Sequence, residues 1–568
     1  MKERGWPNWQ QWTHLPKTLP SRERWLARGL ILIIFASIVL LIANYYLSHS
    51  QVQPKIGGQY REGILGQPRY INPVLAQTND ADRDLVQLIY SSLFKYDGQG
   101  NIIPDLAESY TIKENGLSYF ISLKKNILWH DQEPLTVNDV IFTIKAIQNP
   151  ENKSPLRNNW QNVEVEKIDN FTLCLKLKTV YAPFLHNLTI GILPEHIWSG
   201  ISAANFPLAE YNLKPIGSGP YQFKEFSKSQ NGKIESIELA RNENFYLQSP
   251  FIKKIILKFY NNQDKLIEAY QKRQIDGLNT ISIGKLAKLK NSLNIHQINL
   301  PIYYAVFFNQ TKSKALADKT VRLALAYATN KREIIDKVLK GKGIIVDSPL
   351  LPGCLGHTSE TKVYDFALEH ARNILEAAGW TDQDNDGIRE KKTKDEETKL
   401  EITLIASDWP EIEQTGQLIK EQWEKIGAKI NLEIIDSAAL QQDYLRPRQY
   451  QALLFGEALG ADPDPFAFWH SAYRKDPGLN LAFYQNKKVD KLLEEARQTL
   501  DKEKRAAKYV EFQELLIEDL PAVFLFSPTY LYPVNKKVKG ISIEKLAIHS
   551  YRFSQVENWY IKTKRVWK

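Results

Sequence analysis

The stretch most loaded with chemistry in this 568-residue chain is Asp382-Gln383-Asp384-Asn385-Asp386-Gly387. Carboxylates stand at loop positions 1, 3 and 5, glycine at 6 and the Ile388 carbonyl at 7, the order in which a calcium loop presents oxygen to a hard cation. Position 12, where such a loop carries a bidentate acid, is Thr393. Two readings stay open: a structural Ca2+ held by Asp382, Asp384, Asp386 and Ile388, or an Asp-rich polar turn after a helix over residues 364–378.

Other chemistry is conspicuous by its missing signatures. The ten histidines include no H-E-x-x-H, and no G-x-x-x-x-G-K-[ST] phosphate loop occurs. Gly217-Ser218-Gly219 lacks the spacing of a nucleophile elbow, and Ser542-Ile543-Glu544-Lys545 matches S-x-x-K without its companion motifs. A glycosidase pair among the many acids is not readable, because the two carboxyls meet in space and not in spacing. His130 sits in a turn and reads as a structural hydrogen-bonder.

The elements that must position such residues alternate between strand and helix. Residues 252–259 read as a strand and 263–272 as a helix. Leu400, Ile402 and Leu404 alternate as on a half-buried strand; Pro410 opens a helix whose Ile412, Ile419, Trp423 and Ile426 share one face; Gly427 stops it and Ile430, Leu432 and Ile434 resume the alternation. This is a βαβ unit, which favours a parallel sheet with ligand crevices at strand ends. Earlier, residues 119–129 read as a strand, and Thr136 with Asp139 forms a capping box that starts a helix ending at Asn149-Pro150.

Residues 29–47 are apolar and uncharged over 19 positions, enough to cross a bilayer. Lys2, Arg4, Lys17, Arg22, Arg24 and Arg28 precede the run and predict a cytoplasmic N-terminus with an exported body. Cleavage as a signal peptide is the alternative, since Ser48 and Ser50 offer small residues; the long leader with Trp6, Trp9, Trp12 and Trp25 favours a retained anchor. The net charge of +9 is spread thinly, with no basic stripe or finger pattern, so nucleic acid is not expected as a partner. Cys174 and Cys354 are too few for a disulfide framework.

Several segments together resemble family 5, the peptide/nickel branch, of ABC-transporter solute-binding proteins. They are Pro104-Asp105-Leu106-Ala107-Glu108-Ser109, Trp129-His130-Asp131 with Pro134-Leu135-Thr136 and Asp139-Val140, Gly217-Ser218-Gly219-Pro220-Tyr221, Gly379-Trp380 with the Asp-rich turn, Asp462-Pro463-Asp464-Pro465 with Trp469-His470-Ser471, and Leu520-Pro521. Gln132 stands where that family carries a turn glycine. The resemblance implies an α/β, two-lobed periplasmic-binding-protein-like clam-shell with an additional inserted domain, preceded by one transmembrane helix. Its expected divisions are a basic cytoplasmic segment 1–28, the anchor 29–47, a linker 48–56, lobe I from 57–90, 216–300 and 535–568, the insertion 91–215 and lobe II 301–534.

It further implies an extracytoplasmic receptor at the cell membrane, a monomer that binds an oligopeptide between its lobes and hands it to an ABC permease and its ATPase, with no catalysis and no required cofactor. The alternatives are another solute, such as a nickel chelate or an oligosaccharide, or a sensor or chaperone that works without a permease. Peptide-binding relatives hold the ligand ammonium with an aspartate near the D-P segment. Here Glu457 or Asp462 is the candidate for that place, with Gly460, Asp464, Asn79 and Trp409 as further ligand contacts. The competing reading of Asp462 and Asp464 is that they cap turns around two prolines.

Overall fold

The computed structural model describes residues 8–9, 20–289, 293–393 and 397–568. Lys2, Arg4, Trp6, Trp12 and Lys17 lie outside them. The apolar run forms the helix Ser21–His49, whose 29 residues bury none of their side chains. At 1.5 Å per residue such a helix exceeds the roughly 30 Å of a hydrocarbon core. It leads directly into the strand Ser50–Lys55, which pairs antiparallel with the C-terminal strand Lys562–Trp567, Ser50 opposite Trp567 and Lys55 opposite Lys562.

The body is organised by one mixed sheet. From one edge it runs Lys429–Ile435, Glu401–Ser407, Ala452–Ala458, Ile302–Phe308, Ala522–Asn535, Gly277–Leu278, Gln59–Leu65, Lys254–Tyr260, Ile234–Arg241 and Tyr221–Lys228. The 14-residue strand Ala522–Asn535 belongs to both halves. Its first part pairs with Ile302–Phe308 and Gly343–Ile345, its second with Leu293–Asn299 and Gly277. The partners of this strand change near Pro528, so the strand spans both lobes. The second crossing is Leu300-Pro301, between the strands that end at Asn299 and begin at Ile302.

Lobe II is layered on both faces of its sheet portion because side chains alternate along a strand. Val306 and Phe308 enter one core with Trp423 and Ile419, while Tyr303, Ala305 and Phe307 enter another with Trp469 and Phe512. The expected βαβ unit is present: Glu401–Ser407 runs parallel to Lys429–Ile435 with Leu404 opposite Leu432, joined by the helix Pro410–Glu424 with proline in its first turn.

The inserted segment builds its own antiparallel sheet in the order Ala107–Lys113, Ser118–Leu123, Thr172–Leu177, Val163–Lys167. The helix Val137–Gln148 packs beside it and opens with the capping box: the Thr136 N–H donates to Asp139 Oδ2 at 2.8 Å. The strand expected over 119–129 stops at Leu123, and Asn126 at φ 62° turns the chain out of extended conformation. This sheet shares one hydrophobic core with lobe I, so the two form a single body. Cys174 and Cys354 are both free thiols.

The glycine turn at 217–219 is set by close approach. A Cβ on Gly217 would lie 2.0 Å from the Ile89 carbonyl oxygen and one on Gly219 2.6 Å from the Ile89 carbonyl carbon. His130 locks the same junction, Nδ1 accepting from the Gly217 N–H at 3.2 Å and Nε2 facing the Gly219 oxygen at 3.1 Å. Burial lowers its imidazole to about 4, so it is a neutral structural bridge.

Candidate functional site

Two strand crossings leave a cleft between the lobes, and a cavity of about 300 Å3 sits against them. Leu300 and Thr529 form its floor at the crossings. Leu65, Asp80, Asn279 and Arg552 line it from lobe I, and Tyr304, Trp409 and Glu411 from lobe II. Its size lies at the lower end of small-molecule sites. A second cavity of about 330 Å3 shares Leu300 and Thr529 and is lined by Gln99, Gly353, Gly460 and Lys545.

Local sequence explains the lobe II wall. The strand Glu401–Ser407 delivers the chain to the cleft, where Trp409 caps the helix started by Pro410 and stays 36 % exposed. Glu411 lies in that helix's first turn, where the helix dipole favours an acid. It is 8 % exposed. Its Oε1 accepts from the Ile283 N–H at 2.7 Å, a hydrogen bond from one lobe to the other. Its Oε2 is shut off from solvent and has no partner among the described residues.

The lobe I wall rests on a buried ion cluster. Arg552 donates to both Asp84 oxygens at 2.7 and 2.5 Å and to Glu62 Oε1 at 3.3 and 3.1 Å. Tyr60 and Tyr532 both donate to Glu62 Oε2, the latter at 3.1 Å. Burial pushes the Glu62 carboxyl up to about 6 against the pull of Arg552, and burial also raises Asp84. Two acids against one guanidinium leave the cluster anionic. His549, which lines the same wall, is lowered to about 4 by burial and carries no compensating charge. With Glu411 opposite, the cavity offers negative potential to a cationic group.

Of the residues expected from sequence, Trp409 alone faces this cavity. Gly460 lines the second one. Asn79 caps the helix Asp80–Ile89, its Oδ1 accepting from the Ala81 N–H at 2.9 Å, and so positions Asp80 rather than touching the cleft. Glu457 is a correction to the ammonium-anchor expectation. It is opposite Tyr303 in the register, 3 % exposed, and accepts from the Tyr303 hydroxyl within the lobe II core; burial holds its carboxyl well above the ordinary range. So placed beside Tyr303, it does not line the cavity.

Asp462 and Asp464 both lie in ion pairs, and Asp462 Oδ1 is buried with no partner among the described residues. Asp462 pairs with Arg505 at 2.7 Å and faces His186 Nε2 at 3.6 Å. Asp464 accepts from Arg497 at 2.7 to 3.0 Å and from the Tyr181 hydroxyl at 3.1 Å. Arg497 also lies 3.9 Å from the Phe466 ring centroid. His186 and Tyr181 belong to the inserted segment, so the D-P-D-P stretch ties that segment to lobe II. Sequence reasoning missed Asp80, Asn279, Glu411 and Arg552. Only Glu411 carried a readable signal, as an acid in the first helical turn beyond a strand of the βαβ unit.

Two lobes joined by two crossings around a cavity define a hinged solute-binding protein. The model of bacterial extracellular solute-binding proteins, family 5 (middle region), matches residues 101–516, and the chain belongs to that family. It is 29 % identical over 529 residues to the oligopeptide-binding protein AppA of Bacillus subtilis, covering 91 % of this chain and 94 % of that one. It is 25 % identical over 526 residues to the dipeptide-binding protein of Escherichia coli, with 87 % and 93 % covered. Among solved structures, Bacillus subtilis AppA in complex with a nonapeptide aligns with a TM-score of 0.74 at 28 % identity, covering 90 % of this chain and all of that one. NikZ from Campylobacter jejuni in complex with Ni(L-His) aligns with a TM-score of 0.75 at 28 % identity, with 88 % and 99 % covered.

Proposed function

We propose that this chain is the membrane-tethered receptor of an ABC importer, that it encloses an oligopeptide between its lobes, and that it performs no catalysis. The observation that carries the reading is Glu411 Oε2, a buried carboxylate oxygen without a partner on the wall of an anionic interlobe cavity. A peptide ammonium or a basic side chain supplies the missing counter-charge. The peptide/ABC assignment draws on the oligopeptide- and dipeptide-binding relatives.

Retention of the anchor is supported by the C-terminus. Trp567 packs against Tyr46 at 5.1 Å and Tyr45 at 6.3 Å between centroids, the Lys568 N–H donates to the His49 carbonyl at 2.8 Å, and Arg565 reaches Ser50 Oγ at 2.8 Å. Cleavage after residue 50 would strip Trp567 of both aromatic partners. Native mass spectrometry of full-length protein in detergent tests the whole reading. An intact N-terminus and a peptide released on denaturation are expected; a start at Gln51 would overturn the tether, and a non-peptide solute the ligand class.

A further inference from the structure

The Asp-rich loop lies far in sequence from the cleft residues and plays no part in the receptor reading. It joins the helix Leu368–Ala377 to the hairpin Glu390–Lys392 and Glu397–Lys399, and a two-way backbone bridge between Thr381 and Glu390 closes it, at 3.0 and 2.9 Å. Glu390, at loop position 9, is 1 % exposed. Its Oε1 accepts from the Gln383 N–H at 2.7 Å, while its Oε2 is buried and has no partner among the described residues. One oxygen each of Asp382, Asp384 and Glu390 lies within 4.8 Å of the others. Ligands held 2.3–2.6 Å from one ion stand at such mutual distances.

We propose that Asp382, Asp384 and Glu390 hold a divalent cation of the calcium type. The acid missing at position 12, Thr393, is replaced by Glu390 three positions earlier, and the buried Oε2 is the donor that a cation would satisfy. Asp386 and the Ile388 carbonyl stand in the same loop to complete an oxygen shell. Lys399 is the built-in competitor: its Nζ lies 2.7 Å from Asp386 and 3.5 Å from Asp384, and it sits opposite Glu390 in the hairpin. Its single ammonium reaches two of the loop's four carboxylates, leaving Asp382 and Glu390 without it and Asp384 only at 3.5 Å, so a divalent ion is favoured among these three. With few rigid ligands the affinity belongs with extracellular modules, about 10⁻⁴ to 10⁻³ M.

The test uses the full-length protein, stripped with chelator, and Tb3+ as the luminescent probe, with Trp380 two residues from Asp382 as sensitiser. A saturable signal displaced by Ca2+ is expected, with a melting temperature that rises with Ca2+ concentration because the ion binds the folded state. Glu390→Gln keeps the shape and the Gln383 contact but should weaken Ca2+ by about ten-fold or more. Asp384→Asn, at an exposed position, gives the same loss if Glu390→Gln folds poorly, and Lys399→Met should tighten binding. No saturable Tb3+ signal in the wild type, or both acid variants binding Ca2+ like the wild type, overturns the proposal.

Discussion

Glu411→Gln separates the proposed ligand anchor from ordinary interlobe packing. The amide carbonyl of glutamine can still accept from the Ile283 N–H now held at 2.7 Å, so the lobe-to-lobe hydrogen bond survives. Replacing a buried carboxylate whose second oxygen has no partner among the described residues with a neutral amide relieves a desolvation penalty, so the free protein should melt no lower than the wild type. The ligand is affected differently. Losing one partner of a buried charge pair costs about 2–5 kcal/mol, and Coulomb's law gives about 4 kcal/mol for unit charges 4 Å apart at an effective dielectric of 20. At about 1.4 kcal/mol per decade this is roughly thirty-fold to several-thousand-fold in Kd. The assay is calorimetric titration of one peptide, free and N-acetylated, into both proteins. Acetylation should weaken binding to the wild type by that factor and hardly affect the variant. An equal acetylation penalty in both proteins would place the ammonium elsewhere, and none in either would remove the charge argument.

Four further outcomes follow from the same fold. His130 and His549, each lowered to about 4 from an ordinary 6.5, are protonated more readily in the unfolded chain, so stability is complete above about pH 6.5 and lost as pH falls through 4. Each contributes roughly 3 kcal/mol, and His130→Asn should flatten part of the acid limb in urea titrations run from pH 7 to 4. Gly217→Ala places a methyl 2.0 Å from the Ile89 carbonyl oxygen and should cost about 3 kcal/mol or more, seen as a lower urea midpoint. Asp464→Asn removes the counter-charge of Arg497 where the inserted segment meets lobe II; a loss of about 2 kcal/mol and a larger ligand-free radius by small-angle scattering are expected, and an unchanged radius would show that this contact does not set lobe separation. Arg552→Met leaves Glu62 and Asp84 buried without their cation and should cost about 3–5 kcal/mol in denaturant unfolding.

The sequence by itself determined what depends on neighbours along the chain. The uncharged run 29–47 lies within the helix Ser21–His49, Thr136 and Asp139 formed their capping box within three residues, and the βαβ unit appeared where its alternation and helical spacing put it. Each of these is a local pattern with a local energy. Motif spacing likewise pointed to the family, since turns such as Gly217–Gly219 constrain composition strongly. Tertiary structure alone decided which acids line the interlobe cavity. Glu457, Asp462 and Asp464 are alike in sequence, yet one lies beneath Tyr303 in a core and two are neutralised by Arg505 and Arg497 from more than thirty positions away. Glu457 Oε1 and Asp462 Oδ1 are, like Glu411 Oε2, buried with no partner among the described residues, and Glu411 differs from them in lining the interlobe cavity, where the fold brings Ile283 to its other oxygen. A carboxylate's role follows from its solvation and its partners, and both are set by residues distant in sequence that meet only in the folded chain.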